Sequence, residues 1–222
     1  MTDSPLVIFD LDGTIYKSEH SVVPAMQETC REFGLPEPPP ERILELLALT
    51  RDEQLPYITG GREDIDLDDF VMRLEEREFE LVREHAALFD GMLGVFRKLE
   101  ADGFTLAVCS SGGAPYVNQV VDALGIRSCF SAVSGHERGE PKHQRAAQIA
   151  AEHAGPAAAV VGDAASDARA AVAVGVPLIV AAYGYSHSSI DEQVWTQSLV
   201  ARTPGDVPGL VRESLERTAS PG

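Results

Sequence analysis

The chain has 222 residues, 44% of them hydrophobic and 24% charged, with a formal net charge of −17. That length gives material for one core and a small accessory domain, in proportions ordinary for a globular protein. The charge disfavours nucleic acid and anionic membranes as partners, and no apolar stretch approaches the length of a membrane span.

Residues 6–9 (Leu-Val-Ile-Phe) read as a buried strand that ends in Asp10-Leu11-Asp12-Gly13-Thr14. If the strand continues, Asp10 and Asp12 share one face and converge. Two carboxylates at one spot repel, so a divalent cation, a lysine or unequal roles for the two acids must follow. Apolar residues at three-to-four spacing predict helices over residues 21–34, 41–49 and 66–85. Residues 50–62, with Pro56 and Gly60-Gly61, read as irregular. The acidic group Asp64, Asp66, Asp68 and Asp69 sits where a helix begins and reads as a solvated helix N-terminus.

From residue 90 the pattern alternates. Helices are expected near 92–103, 116–124, 142–153, 164–174 and 207–218. Strands are expected at 104–109, 130–133, 157–161, 177–182 and 200–201, with Ser110-Ser111-Gly112-Gly113 breaking the first of these. Alternation of this kind implies βαβ units and a parallel sheet, so the helical stretch after the first strand is an insertion. The expected division is an α/β catalytic core of residues 1–15 and 89–222 with a helical cap of residues 16–88.

Ligands of open parallel sheets bind at the carboxyl ends of the strands. Those ends carry Asp10, Asp12, Ser110, Ser111, Asp163 and, one helical turn later, Asp167. Lys142 opens a helix facing the same crevice, and it is one of only three lysines against fifteen arginines. Four carboxylates, two hydroxyls and a scarce lysine suit phosphoryl transfer. A carboxylate attacks phosphorus, and a second one carries a proton to the leaving oxygen. Grouped acids suit Mg²⁺, and a lysine and a hydroxyl supply donors for the transferring oxygens. Cys30, Cys109 and Cys129 have no paired spacing. They are read as small buried residues in a reducing, cytoplasmic chain that shows no secretory signal.

In their order and spacing these motifs resemble the haloacid dehalogenase superfamily of phosphohydrolases. The first motif, DxDGT, matches Asp10 through Thr14; the second matches Ser110; the fourth, GDxxxD, matches Gly162-Asp163 through Asp167. The resemblance implies a Rossmann-like core with an inserted helical cap, in the branch that resembles phosphoglycolate phosphatases. It implies Asp10 as nucleophile and Mg²⁺ ligand, and Asp12 as general acid/base with its carbonyl on the metal. Ser110, with Ser111 beside it, would hold phosphoryl oxygens, Asp163 and Asp167 would serve the metal, and Lys142 would balance charge. The third motif departs from the family, because Pro141 precedes the lysine here; Arg138 and Arg145 are the neighbouring alternatives.

The resemblance further implies a Mg²⁺-dependent phosphatase for a small phosphorylated metabolite, acting as a monomer or homodimer. A sugar phosphomutase using the same nucleophile is the alternative. A non-catalytic binding protein would be expected to have lost one of the four aspartates. A phosphonate-cleaving variant would need a cap lysine, and only Lys17 lies near. Within the cap, Arg51, Arg62 and His20 are polar candidates for specificity whose plainer role is solvated surface.

Overall fold

The structure is a computed structural model and describes residues 4–137 and 140–219. Strand β1 (Leu6–Phe9) is followed by α1 (Val22–Glu32), α2 (Pro40–Leu46), α3 (Arg51–Thr59) and α4 (Leu67–His85). Then come α5 (Met92–Ala101), β2 (Thr105–Gly113), α6 (Ala114–Ala123), β3 (Ala132–His136), α7 (Lys142–Glu152), β4 (Ala157–Gly162) and α8 (Ala165–Val174). The chain continues through β5 (Leu178–Ala181), α9 (Glu192–Gln197) and β6 (Leu199–Ala201) to α10 (Val207–Ala219).

Among the described residues the strands form one parallel sheet in the order β3-β2-β1-β4-β5-β6. Both faces of β1 are covered. Val7 and Phe9 pack into a core with Phe96 and Leu106 on one side, while Leu6 and Ile8 pack with Val160 and Val180 on the other. That two-sided burial is why its sequence is a continuous apolar run rather than an alternation. The strand order reverses at β1, so the crevice between the ends of β1 and β4 is the expected ligand position.

The four helices from α1 to α4 bury a separate cluster that includes Val22, Met26, Ile43, Leu55, Phe70 and Leu74. The two chain segments joining this cap to the sheet run side by side. Tyr16 bridges Leu88, the Lys17 N–H donates to Ala87 at 2.9 Å, and the Phe89 N–H donates to Ile15 at 3.0 Å.

Several expectations need correction. Residues 51–59 are helical, not irregular. Thr50 and Glu53 form a capping box that starts α3, Gly60 in the left-handed region ends it, and burial of Leu55 and Ile58 holds it despite Pro56. Strand β2 does not stop at Cys109 but reaches Gly113. Its pairing shifts between Cys109 and Gly113, so Ser110 and Ser111 lie on a bulged stretch. Strand β3 begins at Ala132, two residues later than expected, and α9 was not anticipated. The acidic group at the start of α4 is the helix N-terminus expected, since the Asp66 carboxylate accepts from the Asp68 and Asp69 N–H groups at 3.1 Å.

Candidate active site

Strand β1 ends at Phe9, so Asp10 and Asp12 do not lie on one strand face, and the two acids point to different partners. The Asp10 carboxylate takes a hydrogen bond from Lys142, and the same Lys142 Nζ lies 2.6 Å from Asp167 Oδ1. The Asp12 carboxylate instead accepts from the Ser18 hydroxyl at 2.5 Å and the Tyr116 hydroxyl at 2.7 Å. The crowding anticipated between Asp10 and Asp12 falls elsewhere. Asp10, Asp163 and Asp167, all buried, offer carboxylate oxygens within 4.8 Å of one another.

Each of the three acids is held from a different element. Asp10 follows β1, with its N–H donating to the Val161 carbonyl on β4 at 2.8 Å. Asp163 follows β4, and one of its oxygens accepts from the Tyr185 and Ser186 N–H groups at 2.7 and 2.9 Å. Asp167 lies in the first turn of α8 and accepts from the Ala164 N–H at 2.9 Å. Two glycines let backbone come this close. A Cβ on Gly13, whose φ is +77°, would collide with the Asp163 carboxylate, and one on Gly184 would collide with the Gly13 carbonyl.

The electrostatics follow from burial and crowding. Asp10 is raised well above the ordinary carboxylate range, first by burial and then by Asp167 and Asp163, with Lys142 pulling the other way. Asp163 is pushed up to about 7, first by burial and then by Asp167. Asp12 is also raised by burial, against which its bonds from Ser18 and Tyr116 act. Burial works against the charge on Lys142, but Asp10 and Asp167 outweigh it and hold the ammonium in place. Three acids meet one lysine, and that imbalance fits a divalent cation bound by oxygens.

Lys142 is therefore the residue brought to Asp10. Arg145 sits behind it, donating to the Ser110 and Glu140 carbonyls, and Arg138 lies outside the described residues. Ser110 is buried, and its hydroxyl accepts from the Gly112 N–H at 3.0 Å. Ser111 lines all three clefts around the site. A small void beside Asp10 is lined by Asp12, Lys142 and Asp163 together with Leu47 and Ala48 of the cap.

Of the cap candidates, His20 is exposed beside Glu19, and Arg62 pairs with Asp64 on the surface at 2.9 Å. Arg51 reaches the site region and lines a 460 Å³ cleft with Asp12. Its Nη2 lies 2.7 Å from both oxygens of Glu78, which is 1% exposed. Lys17 is engaged by Asp90 at 2.9 Å.

Sequence reading missed Ser18, Tyr116 and Glu78. For Glu78 a signal existed: Phe70, Leu74, Glu78 and Val82 are four apart and all buried on α4, so a carboxylate stands in an apolar stripe. Ser18 and Tyr116 carried none, because neither belongs to a motif and each is aimed at Asp12 only by tertiary packing.

The family model of the haloacid dehalogenase-like hydrolases matches residues 7–181. The chain belongs to that family. It is 28% identical to the phosphoglycolate phosphatase of Escherichia coli strain K12 over 207 residues, 82% of each chain. It is 25% identical to the probable phosphatase IndB of Dickeya dadantii strain 3937 over 229 residues, 98% of this chain and 97% of that one. Its fold matches the crystal structure of a predicted phosphoglycolate phosphatase from Haemophilus somnus 129PT. There the TM-score is 0.81 at 20% identity, covering 98% of this chain and 99% of that one. The protein is thus a phosphatase of the haloacid dehalogenase superfamily, of the phosphoric monoester hydrolase type, with a parallel α/β core and a helical cap. Among the described residues no helix is long and apolar enough to cross a membrane.

Proposed function

We propose that the protein hydrolyses a small phosphorylated metabolite through an aspartyl-phosphate on Asp10, with Mg²⁺ as cofactor. One observation carries the proposal: three buried acids, Asp10, Asp163 and Asp167, converge within 4.8 Å around a single lysine. Asp10, Asp163 and Asp167, with the Asp12 carbonyl, are the residues to hold Mg²⁺. When bound, the cation offsets their charge and that of the phosphoryl oxygens.

The chain's own residues then divide the work. Asp10 attacks phosphorus, and the bond to the leaving oxygen breaks. Asp12, lifted by burial and held away from Asp10 by Ser18 and Tyr116, gives its proton to that oxygen. The resulting Asp12 carboxylate takes a proton from water, which attacks the phosphorus of the aspartyl-phosphate and releases inorganic phosphate. Lys142, Ser110 and Ser111 supply donors to the transferring oxygens. The cap, taken as residues 16–88 between core segments 1–15 and 89–222, covers the nucleophile with Leu47 and Ala48. It keeps bulk water from Asp10.

The test is phosphate release from a panel of phosphometabolites with Mg²⁺, for the wild type and Asp10→Asn. Loss of turnover with an unchanged circular dichroism spectrum and melting transition supports the assignment. Undiminished hydrolysis by Asp10→Asn sinks it.

A further inference from the structure

The clefts around the site differ in charge. A 230 Å³ cleft is lined by Lys142, His143, Arg145 and Arg169 against Glu53. The 460 Å³ cleft is lined by Asp12, Asp52, Asp68, Glu75 and Glu78 against Arg51. The two meet at Ser111 and His136, which line both. Lys142 is shared between Asp10 and Asp167, but Arg145 and Arg169 pair with no carboxylate among the described residues, so in a chain of net charge −17 they give the smaller cleft the local positive charge that a phosphoryl group needs.

Arg51 has no charge to spare for an anion. Its Nη2 is 2.7 Å from each oxygen of buried Glu78, and its Nη1 donates to Gln54 Oε1 at 2.8 Å. The rest of the large cleft's charged wall is carboxylate.

Direction is set by Asp12. The leaving oxygen departs beside the acid that protonates it, and Asp12 lines the acidic cleft and not the basic one. The alcohol portion of the substrate therefore extends among carboxylates, with Leu55, Val71 and Phe79 available to its carbon skeleton. A second anion there meets like charge, whereas an ammonium or hydroxyl finds acceptors.

We propose that the large cleft beside Asp12 selects phosphate esters whose alcohol portion carries an amine or hydroxyl and no second anionic group. The selection rests on the phosphatase function proposed above and adds its substrate class.

Three esters with one two-carbon skeleton test it: O-phosphoethanolamine, 2-hydroxyethyl phosphate and phosphoglycolate, ending in ammonium, hydroxyl and carboxylate. The quantity read is kcat/KM at fixed Mg²⁺, with p-nitrophenyl phosphate as a general ester. The ammonium and hydroxyl esters are expected to exceed phosphoglycolate by about tenfold or more, the size of one modest charge contact. The rim variant Asp52→Asn with Glu75→Gln, both exposed positions, is expected to narrow the ammonium-to-carboxylate ratio by roughly threefold without a change in melting. Phosphoglycolate turned over as well as or better than the other two overturns the proposal. So do three equal rates while p-nitrophenyl phosphate is hydrolysed, or a ratio that the rim variant leaves unmoved. If no ester releases phosphate, p-nitrophenyl phosphate included, the phosphatase function itself falls, and the selection with it.

Discussion

Two buried ionic groups, one in the core and one in the cap, are built from the same ingredients and differ in stoichiometry. In the cap, one guanidinium meets one carboxylate: Arg51 holds Glu78 through two 2.7 Å bonds. In the core, Lys142 bridges Asp10 and Asp167 while Asp163 stands in the same cluster, so one cation meets three acids. That pair is balanced in charge and ties α3 to α4, although burial still raises Glu78. An unbalanced cluster carries a desolvation penalty that the protein alone does not offset. Such residual negative charge is what a divalent cation requires, and the cation, once bound, would supply the positive charge a phosphoryl group needs.

The difference can be broken from either side. The largest effect is expected in the core: Asp10→Asn should lower turnover by about 10⁴-fold or more, read by phosphate release, while the melting transition stays in place. In the cap the expected loss is of stability. Glu78→Gln leaves Arg51 without its counter-charge, and chemical denaturation should report about 3–5 kcal/mol lost.

A third effect concerns pH in the metal-free protein. Asp163 titrates at about 7 when folded, against an ordinary carboxylate value near 4 in the unfolded chain. Between those values the unfolded chain has released a proton that the native state keeps, so stability falls as pH rises through that window. Melting temperatures from pH 4 to 7 should decline more steeply in the wild type than in Asp163→Asn. Mg²⁺ should restore most at the upper end, where it no longer competes with protons. The smallest effect is expected at the exposed pair Arg31 and Glu37, where Glu37→Gln should leave melting and turnover unchanged.

Much of the core was legible because its signals are local. The apolar run before Asp10, Gly13 after it and the spacing of Asp163 and Asp167 each follow from a strand meeting a turn or a helix start. Lys142 was legible through scarcity, although its place after Pro141 departs from the family pattern. The cap was less readable. Pro56 suggested a break where the capping box of Thr50 and Glu53 and the burial of Leu55 sustain a helix. Glu78 was passed over because the inward face of α4 was read from its apolar members alone. The relation between Asp10 and Asp12 could not be settled by spacing, since it depends on where β1 stops and on Ser18 and Tyr116, six and 104 residues from Asp12.

The most direct measurement is calorimetric titration of Mg²⁺ into the metal-free wild type and into Asp163→Asn, at a pH above 7 where Asp163 sheds its proton. A single saturable site in the wild type, lost or weakened at least about tenfold in Asp163→Asn, is the expected result. Equal Mg²⁺ affinity in the two proteins would contradict the view that the unbalanced acids of the core are the cation site.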